Sequence, residues 1–174
     1  IESFKWDPRK FWDFARDIGW IFLTAKPNAA HTALAELEAM KHLDSVITQN
    51  VDGLHQRAGS RHVVEIHGNA GRIICTGCST TYATENIVDH IENQDVPRCD
   101  RCGGPLKPDI ILFGEPLPEK AFNQALKKVR TADLLLAIGT SLEVYPAATL
   151  PEVAKKGGAK LISIDSERTA WDDL

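Results

Sequence analysis

The four cysteines of this 174-residue chain stand in two tight pairs, Cys75-x-x-Cys78 and Cys99-x-x-Cys102. That spacing constrains the fold more than any other feature. Each C-x-x-C turn presents two thiolates to one metal, and two such turns complete a tetrahedron of the kind zinc prefers. Iron fits the same four thiolates, with zinc the commoner occupant. A closed four-thiolate site has no open coordination position, so a metal there holds structure and does no chemistry. Two disulfides are the other use of the same thiols, but paired turns of this spacing point to metal. A reduced site of this kind fits a reducing, cytoplasmic compartment. Eight residues before the first pair lies Ile66-His67-Gly68, whose histidine is left free for another role.

The remaining bulk properties exclude more than they assign. A net charge of -4 gives no electrostatic reason to expect nucleic acid or an anionic membrane as partner. No apolar run approaches the roughly 20 residues that span a bilayer. A length of 174 residues is enough for one good core, or one domain plus a small insertion.

The chain reads as alternating helix and strand. Asp7-Pro8 opens a helix that Gly19 is expected to close, with Phe11, Trp12, Phe14 and Ala15 as its apolar face. Pro27-Asn28 opens a second, with Ala30, Leu34, Leu37 and Met40 at helical spacing. Strands are expected at 45–48, 63–66, 133–138 and 160–164, with an apolar run at 110–113 and helices from Pro118 to about Arg130 and up to about Lys156. The run DLLLAI, from Asp133 to Ile138, has the continuous apolarity of a parallel strand covered on both faces. The rhythm predicts an α/β fold: a Rossmann-like doubly wound parallel sheet built from residues 1–70 and 108–174, with a small zinc-binding module, 71–107, inserted.

Ligands of such sheets bind outside the carboxyl ends of the strands. Four expected strand ends carry polar groups there: Gln49, Asn50 and Asp52; His67; Gly139, Thr140 and Ser141; and Asp165. A small residue at 139 lets backbone N–H groups and a hydroxyl approach a phosphate or ribose, although glycine at a strand end is often only a turn. Asp165 suits a ribose hydroxyl, or else a turn or helix cap. Asn50 and Asp52 suit a carboxamide or sugar, or a turn. Histidine as a residue type changes charge near neutral pH, and His67 suits a general base. The dinucleotide fingerprint G-x-G-x-x-G is absent from the sequence, which argues against a standard Rossmann dehydrogenase.

The motifs occur in a telling order: Lys26-Pro27-Asn28 with His31, Thr48-Gln49-Asn50-Val51-Asp52-Gly53-Leu54-His55, Glu65-Ile66-His67-Gly68, the two cysteine pairs, Phe113-Gly114-Glu115, and Gly139-Thr140-Ser141-Leu142 with Val144-Tyr145-Pro146-Ala147-Ala148. This resembles the sirtuins, the NAD-dependent protein lysine deacylases, over nearly the whole chain. The resemblance implies that His67 is the general base toward the nicotinamide ribose. It implies that Gln49 contacts that ribose, that Asn50 and Asp52 line the nicotinamide pocket, and that Gly139, Thr140 and Ser141 hold the phosphates and the adenine-side ribose. Ile111 and Phe113 would flank the acyl-lysine tunnel, Gly114 and Glu115 would pair with the substrate backbone, and Cys75, Cys78, Cys99 and Cys102 would hold zinc. NAD and zinc are the implied cofactors, and acetylated lysines of proteins the implied substrates. Sirtuins that favour acidic acyl groups carry a Tyr and an Arg three apart. Ala15 and Ile18 stand at those positions, which implies neutral acyl groups. Asp165 departs from the family's usual Asn and can accept but not donate.

The resemblance also implies that a first strand, a Gly-Ala-Gly-Ile-Ser segment and a Pro-Asp-Phe-Arg segment precede these residues, and that the family continues past Trp171–Leu174. The expectation is a chain that is part of a longer one and turns over little NAD by itself. Two other readings of the sequence are a catalytically inactive, zinc-stapled peptide-binding fragment and a protein ADP-ribosyltransferase.

Overall fold

The structure, a computed structural model, describes residues 1–93 and 95–168, and only the backbone of residues 18 and 20–23. Ile18, one of the two positions read for acyl preference, therefore lies outside the described side chains, as Trp171–Leu174 lies outside the described residues. The chain divides into two compact units, Ile1–Leu117 and Pro118–Leu174.

The first unit begins with helices α1 (Glu2–Trp6), α2 (Pro8–Thr24) and α3 (Ala29–Ala39). Asp7 accepts from the Lys10 N–H and Pro8 takes the first helical position, as the sequence predicts for the start of α2. Gly19 does not close this helix. A glycine inside a helix costs only about 1 kcal/mol relative to alanine, too little to break a ladder that runs on to Thr24. Phe14 is exposed rather than buried, because the inward face is set by Trp12 and by the partly buried Phe11 and Ala15. Asn28 caps α3 by accepting from the Ala30 and His31 N–H groups, and His31 Nδ1 accepts from the Asn28 N–H in return.

Two short parallel strands follow, β1 (Val46–Thr48) and β2 (Val63–Glu65), with helix α4 (Leu54–Ala58) between them. Then comes an antiparallel sheet in the order β4-β3-β5, from β3 (Gly68–Cys75), β4 (Thr81–Ala83) and β5 (Leu106–Ile110), with helix α5 (Val88–Asn93) between β4 and β5. Phe4, Trp12, Ile73, Cys75, Ile87, Cys99 and Leu106 make one core, so α1 and α2 pack on the cysteine-bearing sheet. Trp12, 2% exposed, also donates its indole N–H to the Leu106 carbonyl at 2.9 Å, which satisfies the one polar atom of a buried ring.

The second unit contains α6 (Glu119–Arg130), β6 (Leu134–Ile138), α7 (Leu150–Lys156) and β7 (Lys160–Ile164), with β6 and β7 parallel. Helix α7 packs on both strands and on α6. The expectation that this sheet is covered on both faces is not met among the described residues: Leu134, Ile138, Ile162 and Ile164 remain 38–52% exposed. Continuous apolarity sets what a strand is able to bury, and the helices of this unit cover one face.

Candidate active site and metal centre

In the first unit the carboxyl ends of β1 and β2 bring the polar strand-end residues together. Thr48, the last residue of β1, is buried, and its hydroxyl accepts from the Asn50 N–H at 3.0 Å. Its carbonyl accepts from the Ile66 N–H at 3.1 Å. Gln49 is therefore held beside the β2 end, and its carbonyl lies 3.2 Å from His67 Nδ1. A carbonyl only accepts, so Nδ1 is the donor here, and in the neutral ring Nε2 keeps the lone pair that a general base needs. Asp52 Oδ1 accepts from the Leu54 N–H at 2.9 Å, and Gly53 takes a left-handed backbone (φ +68°) to start α4. The turn role of Asp52 is thus realised alongside its place at the strand end.

The His67 loop is fixed from both sides. Its carbonyl accepts from the Ile111 N–H at 2.9 Å, which joins the candidate base to the first residue of the segment expected at the acyl-lysine site. Glu65 Oε1 accepts from Gln56 Nε2 at 2.7 Å and from the Asn69 amide, while Oε2 takes Arg72 Nη1 at 3.1 Å. Arg72 Nε continues to Asp109 Oδ2 at 2.9 Å, so this network ties β2, β3 and β5 around the loop. Burial opposes the Arg72 charge, and its bonds to Asp109 and Glu65 outweigh that and raise its pKa further.

A histidine pair that the sequence did not single out lies nearby. The rings of His31 and His55 are 4.8 Å apart, and buried His55 Nδ1 has no hydrogen-bond partner. Burial, then the neighbouring His31, push the His55 pKa below its ordinary value, with Asp52 opposing.

Of the residues expected at the acyl-lysine site, Phe113 is exposed and Ile111 half-buried, and Gly114 bends the chain at φ +89°. The side chain of Glu115 turns inward and accepts from the Leu112 N–H at 2.7 Å and from Lys107 Nζ at 2.9 Å. Lys107 drew no attention in the sequence. A charged residue between the apolar Leu106 and Ile110 on one strand, with a carboxylate eight residues on, was the available signal.

In the second unit β6 and β7 end side by side, with Ile138 paired to Ile164. Gly139 and Asp165 each follow directly, so Gly139, Thr140, Ser141 and Asp165 share one carboxyl edge. Gly139 adopts φ +58°, its N–H is committed to the Ile164 carbonyl at 2.9 Å, and open space faces its missing side chain. What it offers a ligand is room rather than a donor. Thr140 Oγ1 accepts from the Leu142 N–H at 3.3 Å. Asp165 Oδ1 accepts from the Glu167 N–H at 3.1 Å, which makes it a turn residue whatever else it binds.

The four cysteines converge. All four Sγ atoms lie within 4.8 Å of one another, with Cys75 to Cys102 at 3.4 Å and Cys78 to Cys99 at 3.6 Å. A disulfide needs roughly 2.05 Å, so the disulfide reading fails. A tetrahedron with metal–sulfur bonds of roughly 2.3 Å has edges of about 3.8 Å, which these separations approach. Every sulfur also has a polar neighbour from the protein: the Gly77 N–H for Cys75 at 3.3 Å, the Thr80 hydroxyl for Cys78 at 3.2 Å, the Tyr82 hydroxyl for Cys99 at 3.1 Å and the Gly104 N–H for Cys102 at 3.4 Å. The Thr80 bond draws the Cys78 thiol down to about 6. The bond to Cys99 pushes the Tyr82 phenol up to about 12, keeping it a donor. Cys102 is also pushed up to about 12: the Gly104 N–H favours its thiolate, and the sulfurs of Cys78 and Cys75 outweigh it. Thiols this close oppose one another's ionisation, and a divalent cation among them removes the conflict. The donor set therefore fits zinc.

Comparison with known proteins accords with this geometry. The Sir2 family model matches residues 1–146. An NAD-dependent protein deacetylase of Sulfurisphaera tokodaii is 48% identical over 174 residues, covering all of this chain and 69% of the relative. The NAD-dependent protein deacylase 2 of Archaeoglobus fulgidus is 45% identical, again over the whole chain and 69% of the relative. Among solved structures, Sir2 bound to acetylated peptide superposes with a TM-score of 0.97 at 41% identity, over the whole chain and 73% of that structure. Sir2 with p53 peptide and NAD+ gives 0.96 at 42%, over the whole chain and 72% of that structure. No helix among the described residues is long and apolar enough to cross a membrane. The chain belongs to the Sir2 family.

Proposed function

We propose that these residues serve an NAD-dependent protein lysine deacetylase acting on acetylated lysines of proteins in the cytoplasm. The observation that carries this reading is the 3.2 Å contact of His67 Nδ1 with the Gln49 carbonyl, which directs Nε2 of the neutral ring to serve as the base. Relatives that are 45–48% identical over the whole chain act as NAD-dependent deacetylases or deacylases, which supports it.

When bound, NAD supplies the ADP-ribose that takes the acetyl group and the nicotinamide that leaves. His67 Nε2 takes the proton of a nicotinamide-ribose hydroxyl. Gln49 contacts that ribose, and Asn50 and Asp52 line the nicotinamide pocket. Gly139, Thr140 and Ser141 hold the phosphates and the adenine-side ribose, and Asp165 accepts from ribose hydroxyls. Ile111 and Phe113 flank the neutral acetyl-lysine, and an apolar passage disfavours the charged free amine. Gly114 and Glu115 pair with the peptide main chain. Ala15 packs against the core of its unit, in line with an acyl site that makes no salt bridge to the acyl group. Cys75, Cys78, Cys99 and Cys102 hold zinc as a structural staple. Residues 1–70 and 108–174 are assigned to NAD binding, and 71–107 to the zinc module.

The test is an acetyl-lysine peptide incubated with NAD and the purified protein. One nicotinamide and one O-acetyl-ADP-ribose are expected per lysine freed, and His67→Ala should abolish turnover while zinc content and unfolding midpoint stay put. Deacetylation without NAD, with free acetate as product, would sink the reading. Radiolabel passing from NAD onto protein would favour ADP-ribosyl transfer instead.

A further inference from the structure

The segment after β5 carries Ile111 and Phe113, and within it Leu112 packs against the core while Phe113 does not. Phe113 is 92% exposed. A groove of about 660 Å³, lined in part by Phe4, Ile74, Ile111 and Gly114, opens beside the segment. Polar pins also hold the segment. Lys107 on β5 is 5% exposed, and its Nζ donates to the Ile110 carbonyl at 2.6 Å and to Glu115 Oε2 at 2.9 Å. The same Oε2 accepts from the Leu112 N–H at 2.7 Å, and the Glu115 N–H donates to the Leu112 carbonyl at 2.9 Å. One ammonium and one carboxylate oxygen thus pin the residues on both sides of Ile111. Between the pins, the Ile111 N–H reaches the His67 carbonyl at 2.9 Å.

A buried ion pair is a poor device for stability, because desolvation of both charges offsets their attraction, and apolar residues of the same size often do as well. This one supplies something apolar residues lack. It satisfies a carbonyl and an N–H at the point where the strand gives way to the loop. It also fixes the path of the backbone there, as Coulomb attraction between two partly buried groups resists separation.

We propose that Lys107 and Glu115 form a latch that holds the acyl-lysine segment in register with His67, and that this latch sets affinity for acetyl-lysine peptides. The inference deepens the deacetylase reading and rests on it. Both side chains are positioning groups: they act through the backbone of residues 110–112 and touch neither the acyl group nor the cofactor.

Lys107→Met, Glu115→Gln, the double variant and Lys107→Arg separate the possibilities. The first readout is native-state amide exchange. Ile111 and Leu112 should exchange about tenfold faster in each of the first two variants and no faster again in the double, as expected of partners in one interaction. The amides of Ile73 and Leu106 should be unchanged, and Lys107→Arg should match the parent. Peptide Kd should weaken about tenfold in the same variants while the Kd for NAD holds. Unchanged exchange at Ile111, equal acceleration throughout β3 and β5, or additive effects in the double variant would overturn the latch. Faster exchange with unaltered peptide Kd would overturn its role in affinity. If Lys107→Met fails to fold, Glu115→Gln decides, since it keeps an acceptor for Leu112 and removes only the charge. A parent protein that binds no acetyl-lysine peptide would sink the deacetylase reading, and exchange at Ile111 still judges the latch.

Discussion

Gly68 stands so close to Asp109 that a methyl group on its α-carbon would lie 2.0 Å from the Asp109 carbonyl oxygen. The approach is possible only because β3 starts at a glycine with φ +81°, paired to Ile110 across the sheet. It lets the His67 loop and β5 share backbone hydrogen bonds. Gly68→Ala therefore meets two penalties, a left-handed backbone and a displaced strand. The expected cost is roughly 3 kcal/mol in urea unfolding, with deacetylation lost because the His67–Ile111 bond cannot form. Gly158→Ala is the control. It has φ +97° with nothing within 4 Å of the added methyl, so it should cost only about 1 kcal/mol.

Tyr82 and Thr80 should govern how firmly the cysteine cluster keeps its metal. Hydroxyl donors spread the negative charge of a four-thiolate site and fix sulfur orientation, and loss of such partners typically costs about 10–100-fold in metal affinity. Tyr82 reaches Cys99 from β4, seventeen residues away, and so crosses between the two C-x-x-C turns. Tyr82→Phe should hand zinc to a chromophoric chelator about tenfold faster than the parent. Stripping the metal altogether should speed amide exchange in β3 and β4 and leave β6 and β7 as they were. Equal zinc release from Tyr82→Phe and the parent would show that the hydroxyl does not serve the metal.

What was legible in the sequence was local. Cys75 and Cys78, the helix start at Pro27-Asn28, and the polar residues following Thr48, Ile66, Ile138 and Ile164 are patterns within a few residues, where chain geometry alone decides which groups face one another. What was not legible joins distant positions. The Lys107–Glu115 pin, the Tyr82–Cys99 bond and the close rings of His31 and His55 depend on how sheets and helices are laid together. Periodicity erred in the same way at Gly19 and Phe14. It ended α2 at a residue whose cost the helix absorbs, and it buried a ring that the packed face of Trp12 leaves outside.

Asn28 should be worth about 1 kcal/mol to the fold, the usual value of an N-cap side chain. Its Oδ1 accepts from the N–H groups of Ala30 and His31 at 3.0 and 3.2 Å, and no residue without a side-chain acceptor replaces that. Asn28→Ala should lower the urea midpoint accordingly, and Asn28→Asp should restore most of it. Equal midpoints for Asn28→Ala and Asn28→Asp would show that the cap carries no weight.

The His31–His55 pair gives the protein a pH dependence of predictable sign. Burial holds the folded-state pKa of His55 below the 6.5 of a free imidazole, with His31 adding to the effect and Asp52 opposing it. Below pH 6.5 the unfolded chain therefore binds more protons at this site than the folded one. The stability from a neutral, half-buried His55 is fully present above that pH and is lost as pH falls through 6.5 toward the folded-state value. Urea midpoints at pH 8, 7, 6 and 5 should fall toward acid in the parent. They should fall less steeply in His55→Gln, which does not titrate, and in His31→Ala, which removes the neighbouring imidazole. If all three proteins lose stability with the same slope between pH 7 and 5, the acid sensitivity comes from elsewhere in the fold.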